Sequence, residues 1–337
     1  MHREATFHGP SQAGHNEGLA PVCIGSHYAV RTQALRQIGG VGPELAEDFS
    51  TAYLLNSAGW QGAFALRARA VGDGPPTFAA MLTQEFQWSR SLTTLLYDLV
   101  PRHLGRLTWA RRIRFGYSLL YYTLTAVATV GGIALPPIAA VTGAPWVNVN
   151  YLSFLAHWWP MSVLLLLLTL LLRRRGLLRP ADAPIVSWEN WLYALARWPF
   201  IAWGVLAAVV QKVRPKPITF KVTPKSSGGL TPLPARLVLP YVAITLVMST
   251  AALIGEYTTA AVGYVGLCLL GGLTYAVVGL LVCVLHAIEA ARAAGSRLPA
   301  ALAATVQRPL SIAVAALVPL GTAIALYPSY AFAVFGW

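Results

Sequence analysis

The sequence predicts a cytoplasmic α/β segment over residues 1–112, followed by an α-helical membrane domain over residues 113–337 with about five spans and one helix in the interface plane. Three observations predict it. The composition is 56% hydrophobic and only 11% charged, which is not the balance of a soluble chain of 337 residues. A bilayer core asks for about twenty apolar residues in a helix, and five runs of that kind stand at about 115–140, 150–172, 237–255, 260–285 and 309–333. Lys and Arg punctuate these runs rather than cluster on a polar domain, so the net charge of +13 reads as positive-inside bias and not as a nucleic-acid surface.

Residues 1–20 are polar where a secretory leader needs an apolar core, so the N-terminal segment reads as cytoplasmic. Val22–Ile24 has the pattern of a short strand. Thr32 is placed to cap a helix ending at Gly39-Gly40, and Asp48 one ending at Gly59. Ala63–Leu66 reads as a further strand, and the Gly-Asp-Gly-Pro-Pro turn at 72–76 precedes a long helix from about Thr77 to Leu99. This is the rhythm of the second half of a doubly wound sheet. Cys23, Cys268 and Cys283 are too few and too scattered for a disulfide framework or a metal site.

The positive-inside rule orders the rest. With the N-terminal segment inside, 141–149 lies outside, the run Arg173, Arg174, Arg175, Arg179 inside, Gly255–Thr258 outside, and Arg292, Arg297 and Arg308 inside again. Trp188–Gln211 is apolar but flanked by basic clusters on both sides, so one crossing would strand a cluster outside. Glu189, Tyr193 and Arg197 recur on one helical face, and Trp188, Trp191, Trp198 and Trp203 suit a headgroup region, so 180–236 reads as an interfacial helix and a cytoplasmic loop. Ionisable residues are nearly absent from the spans, which argues against an ion-coupled transporter. Tyr117 and Tyr121, with Ser118 and Thr125 nearby, either line a path for a sugar polymer or pack the bundle.

Four patches carry chemistry. Val22–Ser26 runs into a Gly-Ser turn where Gly25 lets a backbone approach a ligand. Ala46-Glu47-Asp48 places two carboxylates before a helix, as a cap or as a general base. Gln84, Gln87, Trp88 and Ser91 share one face of the long helix, where amides can bond hydroxyls or phosphate oxygens and an indole can stack on a sugar. Phe220-Lys221-Val222-Thr223-Pro224-Lys225 offers donors to a diphosphate within the basic loop.

Together and in this order, the patches resemble the C-terminal part of the processive family 2 glycosyltransferases, the group of cellulose, chitin and hyaluronan synthases. Ala46–Asp48 resembles T-E-D, Gln84–Trp88 resembles Q-x-x-R-W, and Phe220–Lys225 matches F-x-V-T-x-K. The resemblance implies a partial GT-A-like domain, in which Asp48, beside Glu47, is the catalytic base of an inverting transfer coupled to extrusion. It implies acceptor binding by Trp88, Cys23, Gly25 and Ser26. It also implies contacts to the nucleotide diphosphate from Gln84, Gln87, Arg90, Phe220, Val222, Thr223 and Lys225. Nucleotide-sugar donor, polysaccharide acceptor, membrane lipid and accessory secretion subunits are the implied partners, with no nucleic acid, and the implied location is the cell (inner) membrane.

Two departures qualify the enzymatic reading. Gln87 stands where the family has Arg, and Arg90, nearly one turn later, is the expected replacement. No D or D-x-D motif precedes Val22, so the ligands for the Mg or Mn ion of the full family enzyme are expected to lie outside this chain. The competing readings are a membrane subunit or fragment that keeps acceptor features without donor binding, and a permease.

Overall fold

The computed structural model describes residues 5–68, 70, 74–145, 147, 151–215, 229–258 and 261–326. Among the described residues the chain is helical and holds no β-strand. The expected α/β segment is therefore corrected to a helical one with extended connections. The reason lies in the hydrogen bonds of Val22–Ile24 and Ala63–Leu66. Val22 N donates to Gln12 Oε1 at 3.0 Å, Phe64 N donates to Asn16 Oδ1 at 2.6 Å, and Asn16 Nδ2 donates back to Phe64 O at 3.1 Å. Side chains of the N-terminal turns thus occupy positions that a neighbouring strand would take. The extended segments line an open cleft of about 1070 Å³, with Tyr28, Arg31 and Trp60 on its walls.

The short helices fall where the sequence put them but begin differently. Helix α1 is Thr32–Gln37, N-capped by Arg31 rather than by Thr32. Helix α2 is Glu47–Ser57 with Ala46 as N-cap, so Asp48 is inside the first turn and does not cap it. Gly39, Gly40 and Gly59 take φ of +85°, +115° and +90° after these helices, which is the stop glycine provides. Helix α3, Phe78–Asp98, begins at Thr77, whose hydroxyl accepts from Ala80 N at 3.1 Å.

Residues 150, 260 and 327–333 of the expected spans lie outside the described residues; within these, all five spans are mainly helical. They are α4 (Trp109–Thr142), α5 (Tyr151–Arg174), α7 (Leu239–Thr258), α8 (Val262–Ala294) and a final region. Between α4 and α7, the helix α6 (Trp188–Val213) is a sixth long and apolar enough to cross a membrane. The final region is broken into α9 (Leu298–Thr305), α10 (Gln307–Ala315) and α11 (Leu317–Leu326). Pro309 and Pro319 lack the N–H that would continue the ladder and crowd the preceding turn, which accounts for the breaks at Val306 and Ala316. The chain is a membrane protein, as its apolar helices indicate.

The bundle core joins Leu192, Ala196 and Trp198 of α6 to Tyr241 of α7 and to Tyr275, Val278 and Val282 of α8. Trp198 is buried there and donates from Nε1 to Tyr275 Oη at 2.6 Å, whereas Trp188, Trp191 and Trp203 are exposed. Of the four tryptophans expected at an interface, Trp198 is thus a core residue. A second cluster joins Phe49 and Tyr53 of α2, Leu95 of α3, and Phe115 and Leu119 of α4. It fastens the N-terminal helices to the first apolar helix.

Helix α6 runs parallel to α3 along most of its length. Tyr193 and Arg197 meet Glu85, Gly204 lies on Phe86–Arg90, the Tyr97 hydroxyl donates to Ala208 O at 2.6 Å, and Lys212 Nζ donates to Asp98 Oδ1 at 2.6 Å. Gly204 is required at the crossing, because a Cβ there would meet Ser89 Oγ and stand 2.6 Å from Phe86 O. The N-terminus of α3 is held from another direction. Phe78 N donates to both carboxylate oxygens of Glu289, near the end of α8, at 3.1 Å each. An acidic side chain at that position also complements the partial positive charge of the helix start.

Candidate active site

Asp48 is the best-defined chemical group in the N-terminal part. Its Oδ1 accepts from Phe49 N at 2.7 Å and its Oδ2 from Gly25 N at 3.2 Å, so the carboxylate lies across the Gly-Ser turn that the sequence singled out. A Cβ on Gly25 would stand 3.2 Å from Asp48 Oδ2, which limits that position to a small residue. Burial pushes the Asp48 carboxyl above its ordinary value. The hydrogen bond from Phe49 opposes this, neighbouring Glu47 adds to it, and the bond from Gly25 again opposes it. A carboxylate desolvated in this way is a stronger base than one in water.

The pH dependence follows from the direction of that shift. A carboxyl raised in the folded state favours the protonated fold; that stability is fully present below the unfolded value and is lost as pH rises through the folded one. Between about pH 4 and about pH 8, the melting temperature of Asp48→Asn minus that of the wild type is therefore expected to rise. Thermal unfolding across that range is the check, and a falling difference would contradict the burial effect.

The turn carrying Asp48 is tied to α3. Ala46 N donates to Ser91 Oγ at 3.0 Å in a buried setting, and Gly42 N donates to Thr51 Oγ1 at 2.8 Å. Ser91→Ala leaves a buried N–H unpaired, for an expected loss of about 1–3 kcal/mol. A drop in melting temperature reports it, and Ser91→Thr, which restores the hydroxyl, is expected to recover part of it.

The other expected acceptor residues surround this turn. Cys23 is partly buried, and burial, followed by the Asp48 charge, pushes its thiol up to about 11, so it is present as the neutral thiol. Ser26 is exposed, with its Oγ 2.7 Å from His27 Nδ1. Trp88 is partly buried and packs against Tyr122 and Ala126 of α4 and Ile201 of α6. Leu92, one turn further on, packs against both this cluster and the one around Phe49, and so links the tryptophan to the Asp48 helix. Gln84, Gln87 and Arg90 are partly buried on α3. The Arg90 charge reaches Glu44: burial raises the Glu44 carboxyl, and Arg90 opposes that rise. Phe220, Val222, Thr223 and Lys225 lie outside the described residues.

Glu85 was missed by the sequence reading. It is buried on α3 within the Gln84–Trp88 motif, accepts from the Tyr193 hydroxyl, and faces Arg197 with Nη1 3.6 Å from Oε2. No local pattern pointed to it, since its partners Tyr193 and Arg197, which recur on one face of α6, are more than a hundred residues away. Among the described residues no group of three or more His, Cys, Asp or Glu side chains is placed to hold a metal ion, and Asp48 is engaged by backbone N–H groups. No chemical step is therefore derived through a metal.

The comparisons agree with the motifs. The family described as glycosyl transferase family 21 matches residues 5–170. The cellulose synthase catalytic subunit of Pseudomonas fluorescens is 27% identical over 226 residues, covering 66% of this chain and 29% of the relative. A UDP-forming cellulose synthase of Dictyostelium discoideum, likewise a catalytic subunit, is 26% identical over 201 residues, covering 58% of this chain and 19% of the relative. The chain thus spans less than a third of the length of the curated relatives it matches. By its motifs, the family match and both relatives, the chain is similar to the processive, cellulose synthase-like glycosyltransferases of polysaccharide synthesis.

Proposed function

We propose that this chain handles the acceptor in a membrane glycosyltransferase that moves a sugar from a nucleotide-sugar donor to a growing polysaccharide. The observation that carries the reading is Asp48, a desolvated carboxylate across the Gly25 turn, tied through Ala46 and Ser91 to the helix that bears Trp88. In the transfer, Asp48 accepts the proton of the acceptor hydroxyl as its oxygen bonds to the anomeric carbon. The bond from that carbon to the diphosphate breaks, and the nucleoside diphosphate leaves with the electron pair. A single displacement of this kind inverts the anomeric centre. Trp88 stacks on the terminal sugar, while Gln84, Gln87, Arg90 and the loop of Phe220, Val222, Thr223 and Lys225 meet the diphosphate. A divalent cation accompanies the donor in this scheme, with ligands other than the residues described.

The same reading places residues 1–112 on the cytoplasmic side of the inner membrane and sends the product outward between the membrane helices, with accessory secretion subunits beyond. Helix α6 then lies in the interface rather than across the bilayer. In support, it runs parallel to α3, which is not itself a span, and keeps Trp188, Trp191 and Trp203 exposed.

The short coverage of the relatives favours a second reading, a membrane subunit that binds acceptor but does not transfer. Membranes containing the chain, supplied with labelled nucleotide sugars and oligosaccharide acceptors, separate the two. Incorporation abolished by Asp48→Asn supports transfer by this chain. Absence of incorporation together with oligosaccharide binding that depends on Trp88 supports the binding-only reading. Incorporation that survives Asp48→Asn overturns the role given to Asp48.

A further inference from the structure

The first turns of α4 carry Arg111, Arg112 and Arg114, and their surroundings differ sharply. Arg111 Nε donates to Gly18 O at 3.0 Å, and Arg112 donates from Nε to Leu107 O at 2.9 Å and from Nη2 to Gly105 O at 3.1 Å. Arg114 is the buried one, only 7% exposed, and the poorest in partners. Its Nη1 stands 3.4 Å from Ser118 Oγ and its Nη2 3.5 Å from His15 Nδ1, both at the limit of a hydrogen bond, and its Nε has no partner. Among the described residues no carboxylate forms an ion pair with it. The guanidinium carbon lies 4.5 Å from the centre of the Phe115 ring. That contact meets the flat face of the cation and leaves its N–H edge without good acceptors.

A second orphaned donor belongs to the same junction. Gln12 is fully buried; its Oε1 accepts from Val22 N at 3.0 Å, and its Nε2 has no partner. His15 follows on the same turn, its N donating to Gln12 O at 3.2 Å. Arginine cannot accept, so His15 Nδ1 is the acceptor of the pair and the ring proton sits on Nε2. Burial, followed by the Arg114 charge, pushes the His15 imidazole below its ordinary value, so the ring is neutral at pH 7. Val22, the partner of Gln12, packs on the cluster that contains Phe115. Amide, imidazole and guanidinium thus border one region between the N-terminal turn and α4.

Packing accounts for the apolar stem of Arg114 and for its ring contact. It does not account for a buried cation without a counter-charge beside an amide N–H group that is also unmet, each of which is costly. An anionic ligand answers both at once.

We propose that Gln12, His15 and Arg114 bind one phosphate group at the start of α4. The edge of a guanidinium matches two oxygens of a tetrahedral oxyanion, and the amide and imidazole N–H groups are available to a third. The charge of the ligand offsets the buried cation, which a water or a sugar hydroxyl does not do. A Cβ on Gly14, beside His15, would have no heavy atom within 4 Å, so the turn leaves an approach open. Two sources carry such a group, a phospholipid headgroup and free phosphate. Trp109, Ile113 and Tyr117, spaced four residues apart on a neighbouring stripe of α4, are exposed, which suits the depth of lipid headgroups. None of the three site residues takes part in the proposed transfer.

The test follows thermal unfolding of the full chain, delipidated in a maltoside detergent and held at fixed ionic strength. The probes are phosphatidylglycerol, a diacylglycerol with the same acyl chains, and inorganic phosphate against chloride. Arg114→Met keeps an apolar stem and removes the charge. Gln12→Glu keeps an oxygen for Val22 N and sets a carboxylate in place of the amide donor. Arg102→Gln, at an exposed position shortly before α4, controls for general loss of positive charge. Without ligand, Gln12→Glu is expected to melt above the wild type, because it gives Arg114 a counter-charge, and Arg114→Met no lower than the wild type. A phosphate-bearing probe should raise the melting temperatures of the wild type and Arg102→Gln, with an apparent affinity at least about tenfold weaker in Arg114→Met and Gln12→Glu.

A response to phosphatidylglycerol but not to inorganic phosphate supports the proposal with a lipid headgroup as the source, and a response to inorganic phosphate supports it with a free phosphate group. No response of the wild type to either, or an equal response to diacylglycerol, would overturn the site. Undiminished responses in both Arg114→Met and Gln12→Glu would overturn it as well.

Discussion

Asp48→Asn is expected to lower sugar transfer by roughly 10²- to 10⁴-fold, the range associated with removing a positioned general base. Asparagine keeps the shape and one acceptor oxygen, so the turn over Gly25 can persist, but it cannot take the acceptor proton at neutral pH. The loss should fall on turnover rather than on acceptor affinity, because Trp88 and its surroundings on α4 and α6 are untouched. Glu47→Gln is the informative companion. Its effect on Asp48 is the addition of a nearby negative charge, so the variant should move the acid limb of the activity profile downward and leave the plateau nearly intact. Equal losses in the two variants would place the base elsewhere.

Gly204→Ala is expected to loosen the seam between α3 and α6. The added carbon would meet Ser89 Oγ and stand 2.6 Å from Phe86 O and 3.1 Å from Arg90 N. The serine can rotate away; a backbone carbonyl inside a helix cannot. Helices α3 and α6 must then separate along a seam that includes the buried Glu85, at an expected cost of about 3 kcal/mol. Melting in detergent should fall by several degrees, and oligosaccharide affinity should fall with it, because Trp88 is packed at the same crossing. Adding Ser89→Gly removes the nearest clash but not the carbonyl, so it should restore only part of the stability. Full restoration would mean that the close approach to Phe86 does not limit the packing.

Sequence reading reached the membrane helices because a long apolar run has no alternative to being buried in lipid or protein, and α4, α5, α7 and α8 enclose or closely overlap the runs expected. The break in the last region was less visible, since Pro309 and Pro319 sit in segments that remain apolar on average. The strands failed for a different reason. Val22–Ile24 and Ala63–Leu66 have strand-like composition, but a strand exists only through its neighbour, and here the neighbours are the side chains of Gln12 and Asn16.

Asp48 was expected as the cap of α2, but Ala46 takes that position and the Asp48 carboxylate accepts from Gly25 and Phe49 instead, a bond across the chain that no local pattern reveals. Glu85 was not legible at all. A glutamate in an amphipathic helix looks solvated, and its partners Tyr193 and Arg197 come more than a hundred residues later.

The clamp of Glu289 on Phe78 carries a consequence for assembly. The two residues are 211 positions apart, yet the first turn of α3 depends on that carboxylate for a backbone partner. During synthesis α3 emerges early, its α6 face bare until α6 is made and its start without Glu289 until the end of α8 follows. Its contacts close long loops, the class of contact that forms late in folding. The helix bearing Trp88 is thus completed only when the end of α8 arrives, and a chain stopped before Glu289 would hold every motif residue named here without the fold that aligns them.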